Sequence, residues 1–163
     1  MNTLAQRHGG GIILLTVIAA FMLTTVPLPD ALRALRPDWV LLVLIYWSMA
    51  LPHRIGVGFA WLAGLCNDAL TGLLLGQHAL AYSIVIYLTL KLHQRLRLYP
   101  LWQQALSILV LLGLGQLLLL WINGMVGRPV HAWTYWLPSL LGGLLWPFLF
   151  LLLRGLRRGF RVS

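Results

Sequence analysis

The chain has 163 residues, of which 60% are hydrophobic and 9% are charged, and its mean hydropathy is +0.86. Soluble globular domains carry about a quarter charged residues, so this composition excludes an ordinary water-soluble domain. The formal net charge is +9, but the twelve basic residues lie in short segments beside apolar runs. That placement is typical of membrane loops and argues against nucleic-acid binding, which needs a continuous basic face.

Several apolar stretches are long enough to cross a bilayer, whose hydrocarbon core of about 30 Å needs about 20 helical residues. We predict an all-α, polytopic membrane protein: one transmembrane domain, residues 1–163, folded as a six-helix bundle. The second stretch is short, so five spans plus a re-entrant segment is the alternative. The predicted spans are 9–26, 38–51, 55–75, 77–90, 100–122 and 133–153, and a basic cytoplasmic tail follows at 154–163.

The first two spans carry clear boundary signals. Pro27 and Pro29 end the first, which we interpret as an uncleaved membrane span. Pro37 opens the second, and Asp38 beside it suits the positive end of a helix dipole. Three aromatic residues of the second span are expected to anchor it at the interface: Trp39, Tyr46 and Trp47.

The later spans are separated by polar turns and contain glycines that let helices approach closely. Polar turns or loops are predicted at 52–54, 67–76, 91–99 and 123–131. The glycines expected at helix contacts are Gly56, Gly58, Gly64, Gly113, Gly115, Gly142 and Gly143.

Six spans place both termini on one side of the membrane. With that arrangement nine basic residues lie on the side of the termini and three on the other, so the positive-inside rule makes the terminal side cytoplasmic. The four arginines of the tail are expected to contact anionic lipid or cytoplasmic partners: Arg154, Arg157, Arg158 and Arg161.

The sequence contains no recognisable catalytic motif, and no two of its five histidines have the spacing of a zinc site. We therefore predict no catalytic, cofactor-binding or metal-binding residues. Asp68 is the one acidic residue in the interior of the third apolar run, where a charge is costly. A structural or partner-contact role, such as capping a helix, is favoured over a proton pathway, and an ion pair with Arg36 is geometrically possible.

Four short motifs, in this order, resemble those of the MreD family of rod shape-determining proteins. The match covers nearly the whole chain. The first motif is Arg36-Pro37-Asp38-Trp39-Val40-Leu41-Leu42, continuing to Tyr46-Trp47 and Ala50-Leu51-Pro52-His53-Arg54. The others are Asp68 with Thr71-Gly72, Leu75-Gly76 and Ala79-Leu80; Leu101-Trp102-Gln103-Gln104-Ala105; and Leu145-Trp146-Pro147 before a basic tail.

The resemblance implies a non-catalytic scaffold in the bacterial inner membrane that helps to organise lateral peptidoglycan synthesis. The implied partners are an MreC-like bitopic protein and, through it, the MreB filament, the RodA glycosyltransferase and its penicillin-binding transpeptidase. It also implies similarity to the membrane-embedded binding subunits of energy-coupling-factor transporters, which are six-helix domains. Partner or structural roles are expected for Arg36, Pro37, Asp38, Trp39, Asp68, Gly72, Gly76, Trp102, Gln103, Trp146 and Pro147.

The alternative function is a small-molecule binding or transport subunit, with an enzyme in third place. A transport subunit needs an internal polar cavity, and the predicted spans offer few polar residues for one. The polar residues available are Ser48, Asn67, Thr71, Tyr82, Ser83 and Gln116.

Overall fold

The computed structural model describes residues 10–27, 29–30, 36–53, 55–72, 75–127 and 136–160. The regular structure of these residues is helical, as predicted. The six helices are α1 (Gly10–Thr25), α2 (Trp39–Ala50), α3 (Val57–Thr71), α4 (Gln77–Leu98), α5 (Leu101–Met125) and α6 (Leu137–Gly159).

Helix α2 lies at the centre of the bundle and contacts α1, α4 and α6. Every residue from Val40 to Ala50 is buried, which suits a helix that is apolar on all sides. Tyr46 and Trp47 therefore belong to the core, and the expectation that they anchor the helix at the interface was wrong. The Trp47 indole N–H donates to the Thr16 hydroxyl of α1 at 2.9 Å, so its one polar atom is satisfied inside the bundle.

Helices α3 and α4 form the tightest pair in the bundle. A Cβ atom added at Gly64 of α3 would lie 2.4 Å from the Ala79 Cα of α4, far inside van der Waals contact. The two backbones thus touch directly at this glycine, as small residues allow in membrane bundles. In contrast, a Cβ at Gly56, Gly58 or Gly113 would meet nothing within 4 Å, so these three glycines are not contact points within the bundle.

Helices α5 and α6 are long and apolar enough to cross a membrane, with mean hydropathies of 2.4 and 1.7 over their most apolar 18 residues. Only 22% and 28% of these two 18-residue stretches are buried, whereas the core helix of a soluble protein is mostly buried. Large apolar side chains such as Val110 (70% exposed), Leu144 (70%) and Phe148 (73%) face outward. Apolar surface on this scale fits a membrane protein.

Three helices extend beyond the predicted spans. Helix α4 continues to Leu98 through the predicted basic loop, α5 continues to Met125, and α6 continues to Gly159 through the first half of the predicted tail. Basic side chains in the last turns of α4 and α6 suit the negative end of a helix dipole, so they prolong these helices. The start of the predicted sixth span, residues 133–135, lies outside the described residues.

Candidate functional site

A polar cavity of about 300 Å³ lies at the end of the bundle where α2, α4 and α6 begin and α1, α3 and α5 end. Residues from all six described helices line it, so the site depends on the whole fold. Its polar lining comprises Thr24, Arg36, Asp38, Asn67, Thr71, Gln77, His78, Tyr82, Gln116, Asn123 and Ser139.

Asp68 is fully buried in the last turns of α3, and its carboxylate is held by the start of α4. Its oxygens accept from the backbone N–H of Gly76 at 2.9 Å and of His78 at 3.0 Å. The His78 Nδ1 atom lies 2.7 Å from Oδ1, and a carboxylate can only accept, which assigns the hydrogen to Nδ1. Asp68 therefore caps the N-terminus of α4 from a neighbouring helix, where the helix dipole also favours a negative charge.

Asp38 plays the equivalent part at the start of α2. It is the N-cap residue, and its Oδ1 accepts from the Leu41 backbone N–H at 3.2 Å. The same oxygen accepts from the Tyr82 hydroxyl of α4 at 2.6 Å, and that hydroxyl accepts from the Asn67 side-chain amide at 3.1 Å. This chain of bonds joins α3, α4 and α2 through two buried side chains, Asn67 and Tyr82, and the half-buried Asp38.

Two more hydrogen bonds and one arginine close the ring of helices around the cavity. The Gln77 side chain of α4 donates to Asn123 of α5 at 2.9 Å, and the Ser139 hydroxyl of α6 donates to Gln116 of α5. Arg36 donates to the carbonyl oxygens of Thr24 and Val26 at the end of α1. The ion pair with Asp68 that the sequence allowed is therefore not formed, since Arg36 binds backbone carbonyls that the helix end leaves unpaired.

Two buried polar atoms among the described residues have no hydrogen-bond partner: Arg36 Nε and Asn67 Oδ1. Both residues line the cavity, so a donor facing Asn67 Oδ1 and an acceptor facing Arg36 Nε are the groups that the lining still requires. The cavity can thus bind a small polar group or water by hydrogen bonding. Among the described residues there is no cluster of three His, Cys or acidic side chains able to hold a metal ion.

The opposite end of the bundle is held together by a second set of polar contacts. Arg97 of α4 donates to the backbone carbonyls of Met49 and Ala50 at the end of α2, both at 2.5 Å. Gln104 of α5 donates to the Leu96 carbonyl at 2.9 Å and accepts from the Trp146 indole at 3.0 Å. These bonds fix the ends of α2 and α4 and the middle of α6.

The structure gathers some of the sequence-selected residues into the polar cavity and separates others from it. Arg36, Pro37 and Asp38 line the cavity, and Asp68 supports it from behind His78. The others lie elsewhere: Trp39 half-buried at the start of α2, Gly72 and Gly76 in left-handed turns between α3 and α4, Trp102 exposed and Gln103 half-buried on α5, Trp146 buried on α6, Pro147 inside α6, and Arg154, Arg157 and Arg158 near its end. Arg161 lies outside the described residues.

Sequence reasoning missed three parts of the cavity. His78 was not singled out, yet it is buried against Asp68. The spacing of ten residues across a predicted turn was the only signal for that pair. Asn123 was placed in a loop and Ser139 was not singled out, although both side chains bond to neighbouring helices across the cavity.

Comparison with known proteins identifies the family. The family model described as rod shape-determining protein MreD matches residues 7–156. The rod shape-determining protein MreD of Haemophilus influenzae is 36% identical over 141 residues, which cover 86% of this chain and 87% of that protein. No solved structure matches the chain significantly. The match over nearly the full length of both proteins means that this chain belongs to the MreD family of rod shape-determining proteins.

Proposed function

We propose that the chain is a non-catalytic, multi-pass scaffold of the bacterial inner membrane that binds an MreC-like bitopic protein and helps to organise lateral peptidoglycan synthesis. Membership of the MreD family carries the role in rod shape. The MreB filament, RodA and its penicillin-binding transpeptidase are indirect partners in this proposal, and membrane lipids surround the bundle.

The alternation of the helix ends supports a six-span arrangement. Helices α2, α4 and α6 begin at the polar cavity, and their later residues Ala50, Arg97, Arg154 and Arg157 meet at the other end. Helix α2 has 12 residues and is about 18 Å long, shorter than the bilayer core. Because its neighbours cover it, its length need not match the lipid. In this arrangement the end with the arginines faces the cytoplasm, as do both termini.

The hydrogen bonds made by the polar groups at the polar-cavity end of the bundle favour a scaffold. Hydrogen bonds to neighbouring helices and helix ends are made by Asp38, Asp68 and Tyr82, and these bonds fix the shape of the bundle. Aromatic side chains on the outer surface, including Trp61 (48% exposed) and Trp102 (67%), are available to a partner helix. A rigid bundle with exposed aromatic residues is suited to holding other membrane proteins.

The test combines cell shape with crosslinking in the native rod-shaped bacterium. Cells depleted of the protein should become round, and the wild-type gene should restore rods. Photo-crosslinking probes at the exposed positions 14, 61 and 102 should capture an MreC-like protein, whereas a probe at the buried position 47 should not. Normal rods after depletion, or crosslinks to lipid alone at every exposed position, would contradict the scaffold role.

The polar cavity supports a second candidate function, that of a small-molecule binding or transport subunit. A cavity of about 300 Å³ with unpaired atoms on Arg36 and Asn67 is large enough for a small polar ligand. This function predicts a non-lipid adduct in native mass spectra of the purified protein. The adduct should disappear in Ala81→Leu, which fills the cavity from α4. Spectra without such an adduct, from protein that restores rod shape, would exclude this function.

A further inference from the structure

A second cavity, of about 230 Å³, lies at the end of the bundle opposite the polar cavity. Three arginines line it: Arg97 from the last turns of α4, and Arg154 and Arg157 from the last turns of α6. Tyr46 and Phe150 complete its wall beside the end of α2. Three guanidinium groups from two helices thus converge on one space between the helices.

Arg97 is held in a fixed orientation at the mouth of this cavity. Its Nε and Nη2 atoms donate to the carbonyls of Met49 and Ala50, which the end of α2 leaves without helical partners. Its Nη1 group makes no hydrogen bond to the described residues and remains available to a ligand. Because the two carbonyls already orient the guanidinium, a ligand loses little affinity to ordering this side chain.

Acidic side chains do not line this cavity. The chain has three acidic residues, Asp30, Asp38 and Asp68. Asp38 lines the polar cavity at the other end, Asp68 is bound to the start of α4 there, and Asp30 belongs to the segment leading to the start of α2. The repulsion among the three guanidinium groups is therefore relieved most directly by an external anion.

Tyr46 adds a buried polar group to the same wall. It is 2% exposed, and its ring packs edge-to-face against Trp47 and Phe150, with centroids 5.2 and 5.6 Å away. Tyr46 and Arg157 line the same cavity. A phenol hydroxyl and a guanidinium group can both donate to an oxyanion, so the two side chains can bind one oxyanion together.

Hydrocarbon-facing surface adjoins the basic cavity on α6. Leu151 and Leu152 are 53% and 62% exposed, and they precede Arg154 by one turn or less. A ligand that satisfies both surfaces has an oxyanion and a long apolar part. We propose that this cavity binds the phosphate of an anionic phospholipid headgroup while the acyl chains lie along α6. Basic pockets between membrane helices recognise such headgroups, and arginine pairs with phosphate through two parallel bonds. The proposal is independent of the scaffold role.

The test uses the full-length protein in detergent, titrated with phosphatidylglycerol and with zwitterionic phosphatidylcholine and read by native mass spectrometry. We expect the wild type to bind phosphatidylglycerol selectively. The double variant Arg154→Gln/Arg157→Gln should bind it about thirtyfold more weakly. The control Lys91→Gln/Arg95→Gln removes the same charge from exposed positions on α4 outside the cavity, and should stay within about twofold of the wild type.

Three results would overturn the proposal. Equal losses in the two double variants would mean that net charge, and not the cavity, attracts the lipid. Equal binding of the two lipids by the wild type would mean that the cavity does not distinguish an anionic headgroup from a zwitterionic one. Inorganic phosphate that binds alone and displaces phosphatidylglycerol at equal concentration would assign the cavity to a soluble anion.

Folding is checked separately so that the result stays interpretable. The thermal midpoint of each variant is measured without lipid. The single variant Arg154→Gln alters an exposed side chain and should fold normally. It should bind phosphatidylglycerol about fivefold more weakly than the wild type. Unchanged affinity in this folded variant would contradict the proposal even if the double variant failed to fold.

Discussion

The contact between α3 and α4 at Gly64 allows a sharp test of the packing. A methyl group added there would lie 2.4 Å from the Ala79 Cα, 2.5 Å from its backbone nitrogen and 2.7 Å from the His78 carbonyl carbon. Ordinary contact begins at 3.4 Å, so Gly64→Ala must move the two helices apart by about 1 Å. All three obstructing atoms belong to the backbone, and no side-chain rotation can relieve the clash.

We expect Gly64→Ala to lower the free energy of unfolding by at least about 1–3 kcal/mol, the range that overpacking of a well-packed core produces. This loss exceeds the gain of about 1 kcal/mol that alanine brings to a helix interior. The strain also falls on the polar site, because Asp68 lies one turn beyond Gly64 and its partner His78 is next to Ala79. We therefore expect a clear fall in the thermal midpoint of the purified protein, measured in detergent, and weakened restoration of rod shape in depleted cells.

Gly58→Ala is the matched control, since it lies on the same helix and its added methyl would meet nothing within 4 Å. It should leave the thermal midpoint unchanged or raise it slightly. Ala79→Gly should not rescue Gly64→Ala, because the clash is with backbone atoms that this change keeps. Equal midpoints for Gly64→Ala and Gly58→Ala, or full rescue by Ala79→Gly, would refute the close approach of α3 and α4.

Three further substitutions test the buried polar bonds through the thermal midpoint in detergent and through cell shape. Tyr82→Phe removes a hydroxyl that bridges two helices and should destabilise the protein by about 1–3 kcal/mol. Its control, Tyr87→Phe, lies at an exposed position on the same helix and should change stability by less than about 0.5 kcal/mol. Asp68→Asn leaves a donor group facing other donors and should lower the midpoint; an unchanged midpoint would mean that the cap on α4 contributes nothing. Gln104→Leu leaves the Trp146 indole N–H unpaired and should cost about 1–3 kcal/mol, and an unaltered tryptophan emission spectrum would count against this bond.

The sequence allowed the helices to be predicted because apolar runs and prolines mark them strongly. It misjudged the ends of α4 and α6, because Lys91, Arg95 and Arg157 have the composition of a loop. In the folded protein these residues lie on the last turns of their helices, where the dipole favours positive charge. Local composition therefore gave the wrong secondary structure for these residues.

The polar cavity could be predicted only in part. Asp38 was recognisable as a helix start because a capping residue acts on its own neighbours in the chain. The contacts of Asp68 and Tyr82 depend on which helices become neighbours, and no local pattern encodes that choice. Tyr46 illustrates the same limit, since an aromatic residue in a short apolar helix suits either an interface or a core.

In this fold, charged residues that cap helix ends also contribute to the difference in charge between the two ends of the bundle. Helices α2, α4 and α6 run in the same direction, so their positive ends meet at one end of the bundle and their negative ends at the other. Carboxylates of Asp38 and Asp68 lie at the positive ends, and arginines such as Arg97 bind carbonyls at the negative end of α2. The basic residues that we expect to orient the chain in a membrane thus include residues that terminate its helices. The substitution Arg97→Gln would therefore change two things together: the positive charge at this end of the bundle and the hydrogen bonds at the end of α2. An effect on cell shape would be assigned to one of these changes only after both had been measured.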